Sequence, residues 1–319
     1  MTIIVERAVQ EALDQGAPVV ALESSNITAG VLPANLELAR DMDAAVAAHG
    51  ALPARVAMLD GNLHVGLTED ELIRIATEHD EEKVSTRDLA VGMARNATAG
   101  TTVSASLIAS VAAGIRVFAV AGIGGVHRGA ETSFDISTDL TQFQTSPSLV
   151  VCAGAKSLLD PRLTLEYLET AGVPVIGYAS DDFPGYLAVS SGERNPLRSD
   201  DLQEIARIAH HHWADVARTA VLVTSPLPAE DGVDPDVLLQ LINDALAEAA
   251  TSGASGAALT PFVQRAVAAA TNGRSSTANR AALLSTVSLA ANLAVEEAAV
   301  RQAEPSLVTT DLRQGWSSR

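Results

Sequence analysis

Apolar and polar positions along this chain fall into two regimes that alternate from end to end. Short continuous apolar runs bounded by Gly, Pro or charge read as buried strands: Pro18–Leu22, Val117–Val120, Leu149–Ala153, Val173–Tyr178 and Ala220–Thr224. Between them lie stretches with helical spacing. About Asn35 to His49 carries Leu36, Leu38, Ala39, Met42 and Val46, and similar patterns cover Thr101–Ala113, Asp200–Val216 and about Thr277 to Gln302. Arg55–Leu59 and Leu63–Leu67 flank Asp60-Gly61, a pair that supplies the positive φ of a tight turn, and so predict a β-hairpin. Thr68 with Glu71 forms a capping box for a helix to about Glu78, and Asp160-Pro161 opens another to about Ala171. The segments 23–30 and 121–131 are predicted loops. The alternation argues for an α/β fold with a mainly parallel sheet covered by helices on both faces. No linker marks a boundary, so residues 1–302 are expected to form a single domain, with 303–319 a loosely held polar tail.

Composition narrows the function classes. The chain of 319 residues is 47% hydrophobic and 19% charged, which excludes global disorder. A net charge of −18 opposes binding to phosphate backbones or anionic lipid, and 3% aromatic residues are too few for base-stacking platforms. The expected partner is a small molecule, with no nucleic acid and no membrane. No uninterrupted apolar stretch reaches the roughly 18 residues of a membrane span, and the N-terminus lacks the pattern of a secretory signal. Cys152 is the lone cysteine, which excludes an intrachain disulfide and fits a cytoplasmic setting. Of the 21 cations only Lys83 and Lys156 are lysine. Guanidinium cannot serve where an amine must lose its proton, so a lysine kept in so lysine-poor a chain is a candidate for chemistry.

In open α/β sheets, ligands sit beyond the carboxyl ends of the strands. Glu23 follows the first predicted strand, His127, Arg128 and Glu131 lie in the loop after Val117–Val120, and Lys156 lies just beyond Leu149–Ala153. A carboxylate, an imidazole and guanidinium loop and an amine at one edge point to covalent or acid–base work on a phosphorylated, sugar-like molecule. Gly100-Thr101-Thr102-Val103-Ser104 places a glycine and hydroxyls at a helix N-terminus, where anions are favoured, although a plain cap has the same pattern. The loop around Gly124 lacks dinucleotide spacing. Asp135-Ile136-Ser137-Thr138-Asp139 offers hard oxygens for a cation or forms a turn and cap. Cys152, among Val and Ala, reads as a buried structural thiol. His210-His211-His212 reads as a solvated helix face rather than a metal site.

At this point the residues resemble a family. ALESSNITAG at 21–30, LDGNLHVGLT at 59–68, EEKVSTRDLA at 81–90, GTTVSASL at 100–107, GIGGVHRGAETSFDISTDL at 122–140 and VVCAGAKSLLDPRLTLEYLETAGVPVIGY at 150–178 are similar to the pseudouridine-5'-phosphate glycosidases. LTPF at 259–262 and Gly273-Arg274-Ser275 with Ala278-Asn279 extend the likeness over nearly the whole chain. The resemblance implies an α/β/α sandwich assembled as a homotrimer, with manganese, or another divalent cation such as magnesium, held by Asp135. It makes Lys156 the nucleophile that forms a Schiff base with C1 of ribose 5-phosphate, and Glu23 the proton donor. It implies substrate contacts at Lys83, Val103, Ser137, Thr138 and Asp139, with Asn279 facing the base; Thr102, His127 and Arg128 join them as candidate substrate contacts from their places at the helix start and in the loop after Val117–Val120. A C–C glycosidic bond has no leaving oxygen to protonate, so an iminium electron sink at C1 is the chemically sensible device.

The chain departs from the family pattern in places. Where the family reads Ser-Thr-Ile-Ile-Ser-His-Gly, this chain has Ser24-Ser25-Asn26-Ile27-Thr28-Ala29-Gly30, without the histidine. The Met-Pro-Tyr-Pro that follows shortens to Val31-Leu32-Pro33, and an Asn-Asn pair becomes Ser285-Thr286. Loss of hydrogen-bonding partners from a uracil pocket would weaken recognition of the base. The leading expectation is therefore C-ribosylation of an aromatic polyketide or quinone-type acceptor with ribose 5-phosphate. Cleavage of pseudouridine 5'-phosphate to uracil and ribose 5-phosphate is the alternative, and a catalytically silent sugar-phosphate binder is a third.

Overall fold

The computed structural model describes residues 1–253 and 259–303. Its strands are β1 (Ile3–Val5), β2 (Val19–Leu22), β3 (Leu52–Leu59), β4 (Asn62–Val65), β5 (Glu81–Val84), β6 (Ala99–Thr101), β7 (Val117–Ala119), β8 (Val126–His127), β9 (Leu149–Cys152), β10 (Leu159–Asp160), β11 (Val175–Tyr178), β12 (Leu197–Ser199) and β13 (Val221–Thr224). The main path of the sheet runs β1-β4-β3-β2-β7-β9-β13-β11-β12. From β3 to β12 every pairing along this path is parallel. This is the helix-flanked, mainly parallel sheet that the apolar runs predict. β2, β9 and β13 are buried at every position, as strands covered on both faces must be.

The long strand β3 joins two sub-sheets. Its first half pairs in parallel with β2, while Ala57 and Met58 pair antiparallel with Gly100 and Ala99 of β6, which continues to β5. Its other edge forms the predicted hairpin with β4, turning through Asp60 (φ 49°) and Gly61 (φ 75°). The pairing of β5 with β6 was not legible beforehand, because Glu81-Glu82-Lys83-Val84 carries no apolar run. The result places the chain just before the helix Val103–Ala112 against the end of β2.

Helices cover the sheet. Arg274–Ala303 lies across β2, β7 and β9, and the small-residue helix Val103–Ala112 packs on β2, β3, β4 and β6. The former is long and apolar enough to cross a bilayer, yet most of its apolar length is buried within the protein, as befits a core helix. It starts at Arg274, three residues before the expected Thr277, and runs to Ala303. The capping box of Thr68 and Glu71 and the Asp160 cap form as read. Segment 23–30 is not wholly a loop, since Ser25–Thr28 makes one helical turn. The helix expected through Val216 ends at His211 and continues as a wider turn over His212–Val216. Its triple histidine is only partly solvated: His211 is exposed, but His212 is buried and pairs with the Thr219 hydroxyl at 2.8 Å. The polar tail lies outside the described residues from 304 onward.

Candidate active site

The sequence runs from β2 to β3 on one side and from β7 to β9 on the other, so the strand order reverses between β2 and β7. A crevice at the carboxyl ends of the strands opens at such a reversal. Glu23 leaves β2 directly into this place. The loops after β7 and β9 are zipped together there: Ile123 donates to the Gly154 carbonyl at 3.1 Å, and the Lys156 N–H donates to the Ile123 carbonyl at 3.0 Å. Lys156 is thereby carried to the reversal point. Gly154 (φ 90°) must lack a side chain, because a Cβ would lie 2.1 Å from the Pro184 carbonyl oxygen. That close approach lets segment 184–186 dock on the end of β9, with the Tyr186 N–H bonded to the Ala153 carbonyl at 2.9 Å.

Glu23 is buried, and burial raises its carboxyl pKa above the ordinary value. The Lys156 ammonium opposes that rise, as does the Ser25 hydroxyl, which donates to Oε2 at 2.5 Å; the charge of Asp139 adds to it. The structure therefore couples Glu23 electrically to Lys156 and to Asp139. His127 is half-buried, and its burial lowers the imidazole pKa; Asp135 opposes this and Lys156 reinforces it. The imidazole is thus shifted toward its neutral form and the Glu23 carboxyl toward its protonated form, each under the influence of the Lys156 charge. Such opposed settings are how acid and base roles are assigned within one site.

A cavity of about 180 Å³ opens beside the amine. Its lining combines the polar Lys156, Tyr186, Ser275 and Asn279 with the apolar Leu187, Leu238, Ile242, Val263 and Val267. Glu23 does not line this cavity. The early start of the helix Arg274–Ala303 delivers Ser275, Ser276 and Asn279 to it.

The second half of the site surrounds the start of the helix Val103–Ala112. Asp139 is 5% exposed, and both carboxylate oxygens are engaged: one accepts from the Ser104 N–H at 3.0 Å, the other from the Gly124 N–H at 2.8 Å. A Cβ at Gly124 would meet the Ser137 hydroxyl at 2.0 Å, so the glycine is required by close packing. Thr138 and Ser104 pair their hydroxyls at 3.1 Å, and Ser104 and Thr102 at 3.2 Å. Val103 opens the helix and is buried, and the Thr102 N–H donates to the Val84 carbonyl at 3.0 Å. Lys83, the residue before Val84, is half-buried beside this point. The structure thus gathers Lys83, Thr102, Val103, Ser137, Thr138 and Asp139 around one helix start, next to Glu23 and Lys156. Arg128 and Glu131 are exposed on the far part of their loop.

Asp135 is half-exposed, and its Oδ2 lies 3.9 Å from His127 Nδ1. Among the described residues no group of three or more His, Cys, Asp or Glu gathers to hold a metal ion. One carboxylate beside one imidazole could hold a hard cation only with water completing its shell. Cys152 is fully buried with its thiol pKa pushed up to about 12, consistent with the structural reading.

The departures from the family pattern do not strip this cavity. Ala29, in place of the histidine, is exposed, and the Thr286 hydroxyl is buried and bonds back to the Ala282 and Leu283 carbonyls of its own helix. Ser285 likewise bonds to Ala282, and none of the three lines the cavity. The substitutions at 29, 285 and 286 therefore lie outside the lining of this cavity. Tyr186, Ser25 and Gly122 escaped sequence reasoning; only the scarcity of tyrosine, three in the chain, set Tyr186 apart.

Fold and site together define an α/β protein that brings an amine and a buried carboxyl to a sheet reversal. A family model described as indigoidine synthase A like protein matches residues 8–296. The pseudouridine-5'-phosphate glycosidase of Dickeya dadantii is 47% identical over 287 residues, 90% of this chain and 91% of that protein. That of a Nocardioides species is 42% identical over 294 residues, covering 92% and 96%. Among solved structures, the prealnumycin C-glycosynthase AlnA in complex with ribulose 5-phosphate superposes with a TM-score of 0.88 at 40% identity, covering 95% of this chain and 99% of that one. An indigoidine synthase A-like protein from Thermotoga maritima gives 0.84 at 30% identity, covering 93% and 97%. The chain belongs to the indigoidine synthase A-like family, that of the pseudouridine-5'-phosphate glycosidases.

Proposed function

We propose that this protein is an enzyme that cleaves the C–C glycosidic bond of pseudouridine 5'-phosphate, giving uracil and ribose 5-phosphate. The observation that carries the reading is the meeting at the sheet reversal of the Lys156 loop, zipped to Ile123, with the buried Glu23 carboxyl, close enough for the lysine charge to act on it. The Lys156 Nζ attacks C1 of the sugar and forms a C–N bond. The C1–O4 bond breaks as Glu23 gives its proton to the ring oxygen. Glu23, now a carboxylate, takes a proton from that nitrogen, whose lone pair then expels the aglycone carbon and leaves C1 as an iminium, and Glu23 passes the proton to the departing carbon. Water adds to C1 and releases ribose 5-phosphate and the free amine. Lys83, Thr102 and Val103 hold the phosphate at the helix start, with Ser137 and Thr138 beside the sugar, and Asp139 fixes that loop against the helix.

Asp135, with His127 near it, would hold a hydrated manganese or magnesium ion that offsets the charge of the phosphate. A homotrimer in the cytoplasm, as the family resemblance implies, completes the reading; light scattering on the purified protein tests the assembly. The reverse reaction, C-ribosylation of a planar aromatic acceptor, is a second reading. It is favoured by the apolar wall of Leu187, Leu238, Ile242, Val263 and Val267 and by the likeness to AlnA. The deciding experiment incubates the protein with pseudouridine 5'-phosphate and, separately, with ribose 5-phosphate plus either uracil or an electron-rich aromatic acceptor. Borohydride present with ribose 5-phosphate traps a secondary amine on Lys156; an adduct on Lys83 alone, or none, removes the proposed nucleophile.

A further inference from the structure

Tyr186 combines three features that a wall residue does not need. Its backbone is held at φ 67°, a conformation rarely tolerated by a bulky side chain. Strain of this kind persists only where the surroundings impose it, and it gathers at ligand-binding positions. Its ring lies against Gly122, where a Cβ would meet Cδ2 at 2.5 Å and the Lys156 Cγ at 3.2 Å, so the glycine exists to let ring and lysine stem close on one another. Its hydroxyl, on a 5% exposed residue, donates to Asn279 Oδ1 at 2.6 Å.

That last distance settles which way the Asn279 amide faces. An O–H···O bond has its optimum near 2.7–2.8 Å, whereas an amide N–H donor sits closer to 2.9–3.0 Å. Burial also raises the phenol pKa, with the charge of Glu23 adding to the rise, so the hydroxyl keeps its proton and remains a donor. The amide oxygen is therefore committed to Tyr186. Asn279 lines the cavity, and its Nδ2 makes no hydrogen bond among the described residues.

We infer that Tyr186 is a positioning residue that locks the Asn279 amide with its NH2 presented to the cavity, so that the enzyme selects planar aglycones carrying a carbonyl acceptor beside the bond-forming carbon. An unlocked amide would present donor or acceptor alike and would accept an N–H group in the same place. Uracil and hydroxyquinones both offer such a carbonyl. The inference rests on the C-glycoside reading of the Lys156 site and adds to it the polarity of the aglycone wall.

The test is steady-state synthesis from ribose 5-phosphate with uracil, and in parallel with 2-hydroxy-1,4-naphthoquinone, for Tyr186→Phe, Asn279→Ala and the double variant. Tyr186→Phe is expected to raise the KM for the acceptor about tenfold while the KM for ribose 5-phosphate moves less than twofold. Adding Tyr186→Phe to Asn279→Ala is expected to change nothing further, because the hydroxyl acts only through the amide. Equal shifts in both KM values, or independent effects in the double variant, would show a merely structural tyrosine and overturn the inference. Parent protein that traps ribose 5-phosphate on Lys156 yet saturates with neither acceptor would equally overturn it. Absence of trapping would overturn the Lys156 reading instead, so the two failures are distinct.

Discussion

Replacing Asp139 by Asn removes one charge and one acceptor without changing the shape of the side chain. In the parent, the two carboxylate oxygens accept from the Ser104 and Gly124 N–H groups at 3.0 and 2.8 Å, away from water. An amide has a single acceptor oxygen, so one of these buried N–H groups loses its partner and faces an NH2 instead. An orphaned buried donor costs about 1–3 kcal/mol. A domain of this size loses about 1–2 °C of melting temperature per kcal/mol, so calorimetry should record a fall of about 1–6 °C. The same substitution has a kinetic consequence of fixed sign. The Asp139 charge helps to raise the Glu23 pKa, so removing it lets Glu23 ionise at lower pH. With Glu23 as the proposed proton donor, the alkaline limb of kcat against pH should move toward lower pH. An unchanged melting temperature would show that the carboxylate does not hold the two loops together. A limb that moves to higher pH would refute the electrostatic coupling of Asp139 to Glu23.

Other outcomes follow from the same geometry. Lys156→Arg should abolish turnover and borohydride trapping, because guanidinium supplies no neutral amine; residual trapping on the variant, read by mass spectrometry, would contradict this. Glu23→Gln should slow kcat by about 100-fold or more with little change in KM, the scale of a lost general acid. The raised pKa of Glu23 means that its ionisation costs the fold, so stability is lost as pH rises through that pKa. Glu23→Gln should therefore melt at a higher temperature than the parent in alkaline buffer, with the gap closing toward acid pH. Asp135→Ala, or exhaustive chelation, should raise the KM for ribose 5-phosphate and leave the Lys156 amine competent in trapping. An unchanged KM in both would show segment 134–139 to be a turn alone.

The sequence by itself determined the elements whose signal is local. Continuous apolar runs become buried parallel strands because water is excluded from both faces, and Asp60-Gly61, the Thr68 box and Asp160-Pro161 encode their turn and caps in adjacent residues. It also marked Glu23 and Lys156, since a strand end in such a sheet is a predictable address and lysine is scarce here. Only the tertiary structure decided what lies between them. β5 and β6 carry too little apolar pattern to be seen alone and exist through their pairing. Asp139 reads as a sugar contact or a cap in the sequence; in the fold it spans two loops, a role set by hydrogen bonds 15 and 35 residues apart. The three residues that depart from the family pattern at 29, 285 and 286 look like pocket changes until the helix rotation and the surface position of Ala29 take them out of the cavity. Tyr186 meets Asn279 across 93 residues. No local pattern records such a meeting, because what brings the two side chains together is the close packing that Gly122 and Gly154 permit at the end of the sheet.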